Sequence, residues 1–149
     1  MIADIKAAAE ASGITAFITN SSQKIETQLN AITRSEDLPI MLVSWDLDAT
    51  ISFDANGFLE NPKVKVVALL MTKAENFKDE AEEAAVEMSI VFQTFLVNLN
   101  NSLVKYQLNH NEPAITDAGY KLVPKHGAGK HSGILGRFTM KTGVTNCEE

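Results

Sequence analysis

The sequence predicts an α+β domain: an antiparallel sheet of about four strands, one long amphipathic helix packed on one face, and helices at the N-terminus. Three observations lead there. Apolar residues recur at helical intervals over 77–103, they alternate strictly with polar ones over 44–53, and Val and Leu crowd the stretch 63–73. With 149 residues, 45% of them apolar, and 8 Gly and 4 Pro spread along it, the chain fits one domain spanning 1–149 that builds its core without a metal or disulfide.

The elements follow in order. Residues 2–11 are Ala-rich, place Ile2, Ile5 and Ala9 at helical spacing, and stop at Ser12-Gly13, where glycine accepts the left-handed turn that ends helices. Asn20-Ser21-Ser22 then offers an N-cap to a second, more polar helix over 23–34, marked by Ile25, Leu29 and Ile32. Together these make 1–36 a helical N-terminal region. From Leu38 the period changes to two. Trp45, Leu47, Ala49, Ile51 and Phe53 define a buried strand face, and Ser44, Asp46, Asp48, Thr50 and Ser52 a wet one. Ahead of them, Ile40-Met41-Leu42-Val43 is apolar on both faces and predicts the centre of the sheet. Asp54-Ala55-Asn56-Gly57 is turn chemistry, so the strand over 63–73 is expected to return antiparallel to the first.

The long helix is the strongest element. Phe77, Ala81, Ala84, Ala85, Met88, Val91, Phe92, Phe95, Leu96, Leu99 and Leu103 are spaced as only a helix requires, and Glu80, Glu82, Glu83 and Glu87 put negative charge near its start, where the helix dipole favours it. Beyond it, strands are expected over 114–123 and 134–144, joined by a glycine-rich loop, 124–133, and followed by a flexible tail at 145–149. There is no internal repeat.

Composition excludes several classes. The longest apolar run, Val66 to Met71, is far short of the roughly 20 residues a membrane span needs, and Asp4 and Glu10 stand where a signal peptide would be basic and then apolar. The single cysteine, Cys147, has no intramolecular partner, which points to a reducing compartment and away from a Cys-based zinc site. A net charge of −6 argues against a uniformly basic nucleic-acid binder.

Two motifs invite catalytic readings. Asp46-Leu47-Asp48-Ala49-Thr50 resembles the first motif of the haloacid-dehalogenase-like phosphatases, in which one Asp attacks phosphorus, the second is the general acid/base and Mg²⁺ sits between them. The likeness covers about ten residues. Downstream the chain lacks the alternating βα units and loop acidic pair of that family, and side chains two apart on any strand share a face by geometry alone. Gly127-Ala128-Gly129-Lys130-His131-Ser132 suggests a phosphate loop, but Pro124 stands where the first Gly belongs and His131 where the hydroxyl belongs. His110, His126 and His131 are not spaced as a metal set. The expectation is therefore no catalytic residue, no cofactor and no metal, with an Asp46/Asp48 Mg²⁺ enzyme as the alternative.

Charge distribution says more than its total. Between Ala118 and Cys147 stand Lys121, Lys125, Lys130, Arg137 and Lys141, with His126 and His131 and no acidic residue, so this segment carries +5 and the remainder −11. Such a separation suits contact with an acidic partner, DNA phosphates, or an acidic face of a neighbouring copy. These seven residues are the candidate interaction site.

The order of elements carries a family resemblance. A helical N-terminal region, a strand hairpin over 38–73, one long helix over 76–104 and a final basic hairpin over 114–144 together resemble the small tail-terminator and head–tail connector proteins of tailed bacteriophages. The resemblance implies an α+β subunit of a homo-oligomeric ring, hexameric or twelvefold, in the virion and, during assembly, in the host cytoplasm. Its implied partners are other copies, portal, connector or tail proteins, and DNA in a channel, with no membrane. A third possibility is a stand-alone module binding an acidic partner through the basic hairpin.

Overall fold

The computed structural model describes residues 2–19, 39–44, 49–73, 78–104, 113–126 and 131–141. Within them lie α1 (Ile2–Ala11), β1 (Thr15–Thr19), β2 (Ile40–Ser44), β3 (Ala49–Thr50), β4 (Lys63–Lys73), α2 (Lys78–Leu103), β5 (Ile115–His126) and β6 (His131–Lys141). The expected α+β class holds, with the long helix packed against a sheet. The sheet has six strands rather than four and is mixed: β1-β2-β4-β6-β5, with β3 also on β4. Thr15–Thr19, within the region 1–36 expected to be helical, is instead the edge strand β1, which runs parallel to β2 with Thr15 opposite Ile40 and Thr19 opposite Ser44. A parallel pair needs a connection of a dozen residues or more, and 20–39 supplies that length. The helix expected over 23–34 lies outside the described residues.

α1 ends as its sequence requires. Gly13 takes φ 75°, and the N–H groups of Gly13 and Ile14 donate to the carbonyls of Glu10 (3.1 Å) and Ala9 (2.9 Å), the paired bonds of a Schellman cap. The chain reverses there and enters β1 through Ile14, which is buried.

Period-two alternation sorts the sheet into two faces. Val64, Val66, Ala68 and Leu70 of β4 and Ile134, Phe138 and Met140 of β6 point to the side occupied by α1 and α2, where they join Ile5, Ala9, Met88, Phe92, Phe95 and Leu99 in the main core. Phe92, Phe95 and Phe138 form an aromatic trio with ring centroids 6.0–6.3 Å apart, within the range at which edge and offset contacts add to burial. On the other face Ile40, Leu42, Leu69 and Met71 form a second, smaller buried cluster against which Val123 packs.

Side-chain amides tie α2 to its neighbours. Asn98 Nδ2 donates to Ser12 Oγ at 2.9 Å, pinning α2 to the end of α1. Asn100 Oδ1 accepts from the backbone N–H groups of Ala114 (2.7 Å) and Ile115 (3.1 Å), which sets the start of β5. Buried backbone donors need such acceptors, and here a side chain supplies what no neighbouring strand does.

Candidate interaction surfaces

Of the strand expected over 38–53, the described residues give β2 and β3, both antiparallel to β4 as expected, and the chain leaves the ladder after Thr50. A short arm follows from the pairing of Ala49 and Thr50 with Val64 and Lys63: Phe53 bridges Leu59, and the Glu60 N–H donates to the Ser52 carbonyl at 2.9 Å. Asp54 closes the tip, its Oδ1 accepting from the N–H groups of Asn56 and Phe58, each at 2.9 Å. The strand face expected to be buried is instead exposed at Ala49, Ile51 and Phe53. Ile51 and Phe53 are each 66% exposed, and Phe58 beside them is 70% exposed. The arm extends past the body of the sheet, so alternation finds no core to face. Trp45, Asp46, Leu47 and Asp48 lie outside the described residues.

The strands of the basic hairpin reach further towards its tip than expected. The segment 124–133, read from sequence as a loop, instead contributes to both strands, with β5 continuing through Pro124 to His126 and β6 starting at His131. His126 and His131 are opposite one another in the register, while Gly127 to Lys130 lie outside the described residues. β6 is described as far as Lys141, and both the expected remainder of that strand to Val144 and the tail at 145–149 lie outside the described residues.

Register decides which candidate residues come together. Lys121 stands opposite Leu135, Gly119 opposite Arg137, and Arg137 opposite Val67 on the β4 side, all on the face away from the helices. The Arg137 guanidinium lies over Gly119, 3.2 Å from where a Cβ there would sit. Lys141 belongs to the same face, paired with Lys63 at the other end of β6. For Lys125, His126 and His131 the backbone position alone is described: they fall at the hairpin's far end, away from Arg137 and Lys141.

A β-bulge shapes this face. Between Thr116 and Gly119 β5 advances three residues while β6 advances two, and Asp117 takes φ 51° to accommodate the extra one. Asp117 thereby lines an open depression of about 310 Å³ together with Lys65, Val67, Arg137 and Thr139. Sequence reasoning missed Lys65 as a member of this basic face. The signal was present in Lys63-Val64-Lys65-Val66, whose alternation sets the lysines opposite the core-facing valines.

α2 presents the third surface. Opposite its buried side, Val86, Ile90 and Val97 are 48%, 59% and 58% exposed, and Glu82, Glu83 and Glu87 are exposed around the first two. Their spacing of four and seven lines them along one stripe of the helix. Among the described residues no three His, Cys, Asp or Glu side chains gather into a group able to hold a metal. No described helix is long and apolar enough to cross a membrane.

The fold and these surfaces define the class as a mixed α+β domain with apolar projections and segregated surface charge. No protein-family model matches the chain, and no curated protein sequence matches it significantly.

Proposed function

We propose that this protein is a structural, ring-forming subunit of a tailed bacteriophage, a tail terminator or head–tail connector that assembles by subunit–subunit contacts. The observation that carries the proposal is the arm over 49–60, where Ile51, Phe53 and Phe58 project apolar side chains that the subunit itself leaves exposed. Clustered exposed apolar groups of this kind mark surfaces for association, since each large side chain gains roughly 1.5–3 kcal/mol on full burial. The order of elements supports the phage assignment: a helix, a strand hairpin, one long helix behind the sheet and a basic terminal hairpin. In this reading the basic hairpin meets an adjoining portal, connector or tail protein, or channel DNA, and the protein resides in the virion after assembly in host cytoplasm.

Size-exclusion chromatography with light scattering, followed by electron microscopy of the peak, tests the reading. A discrete closed ring is expected, and a strict monomer at the highest attainable concentration would overturn it.

A further inference from the structure

The stripe on α2 and the open end of the sheet lie on opposite sides of one subunit, and their chemistry matches. The stripe carries Val86, Ile90 and Val97 flanked by three exposed glutamates, Glu82, Glu83 and Glu87. The sheet face carries Val67 (42% exposed) and Leu135 (40% exposed) flanked by three exposed cations, Lys65, Lys121 and Arg137, with Asp117 the one carboxylate lining the same depression. Each surface thus has an apolar centre and a charged border, and the borders are of opposite sign. Like surfaces meeting about a twofold axis would place glutamates on glutamates, or cations on cations, at several points of contact. Unlike surfaces meeting head to tail would pair them.

We infer that the α2 outer face of one copy docks on the Lys65–Val67–Leu135–Arg137 face of the next. This inference rests on the self-association proposed above and adds to the arm a second pair of surfaces that takes part in it. Because the two surfaces are on opposite sides of the subunit, the contact repeats from copy to copy, closing into a ring or continuing as a filament according to the rotation between neighbours. Gly119 leaves room on this face for the Arg137 guanidinium, which lies 3.2 Å from where a Cβ there would sit.

Two sets of variants test it. In a Cys147→Ser background, Ile90→Cys and Leu135→Cys are prepared as separate proteins and oxidised alone and mixed. A disulfide-linked dimer that forms strongly only on mixing is the expected result. Efficient Ile90→Cys self-linking would overturn the inference in favour of paired helices, and an assembled wild type whose variants give no mixed link would overturn it while leaving the ring proposal standing. A wild type that never assembles overturns both. The second set reverses charge: Glu83→Lys/Glu87→Lys and Lys121→Glu/Arg137→Glu are each expected to lose assembly, and an equimolar mixture to regain it. Unimpaired assembly of either variant alone would overturn the electrostatic match. Circular dichroism of each variant distinguishes lost contact from lost fold.

Discussion

Phe92 of α2 lies directly over Gly136 of β6: a Cβ on that glycine would sit 2.6 Å from the Phe92 Cζ. The helix approaches the sheet as closely as it does because β6 has no side chain at this point. Gly136→Ala must push the ring out of its contact with Phe95 and Phe138, a small-to-large change in a packed core that costs about 1–3 kcal/mol. Urea denaturation is the measurement. Combining it with Phe92→Leu should recover part of the loss, because the two changes share one volume.

Gly133→Ala should be worse. Its Cβ would fall against the Leu70 carbonyl oxygen of β4, and a backbone atom held in a ladder has no rotamer by which to retreat. A loss larger than that of Gly136→Ala is expected, with local opening of the β4–β6 pairing seen by hydrogen exchange. Equal or smaller destabilisation would mean that the strands separate more easily than the register implies.

Asn100 serves two backbone donors with one oxygen. Asn100→Ala leaves the N–H groups of Ala114 and Ile115 without it, and the expected cost is about 1–3 kcal/mol. Asn100→Asp keeps an acceptor at that place and should cost less than Asn100→Ala. Thermal or urea unfolding of the pair checks the order, which separates the hydrogen bonds from simple loss of side-chain volume.

The arm separates stability from association. Phe53→Ser/Phe58→Ser removes side chains that are mostly exposed in the subunit, so unfolding free energy should move by no more than about 0.5 kcal/mol per site. Assembly should weaken sharply. Light scattering and urea unfolding on the same samples read the two quantities, and retained assembly would remove the arm from the interface.

Asp54 holds the arm's tip through two backbone N–H groups. Asp54→Ala should cost about 1 kcal/mol at the tip while leaving the global unfolding midpoint nearly unchanged. Faster proteolysis or hydrogen exchange confined to 54–60 is the expected readout.

Much of the fold was legible. The spacing from Met88 to Leu103 specified not only a helix but its buried side, because a 3.6-residue period leaves one stripe to face the sheet. Ser12-Gly13 specified where α1 stops, since the left-handed turn is a local steric property. Lys121, Arg137 and Lys141 were legible as cations on strands, and their charge excess is a matter of sequence alone.

Other features depended on partners distant in the chain. Thr15–Thr19 became a strand because β2 offers it a parallel edge, and nothing within five residues encodes that neighbour. Ile51 and Phe53 have the alternation of a buried face, yet alternation states only that two faces differ, and burial requires another element to cover one of them. Lys65 joined Arg137 and Lys121 through a register spanning more than fifty residues of chain. Local sterics, periodicity and charge are written residue by residue, so the sequence by itself determined the long helix, the end of α1, the α+β class and the acidic–basic division. Which strands meet, and which apolar faces stay open, is decided by long-range packing, and only the tertiary structure brings the apolar arm, the acidic helix stripe and the basic sheet face into view.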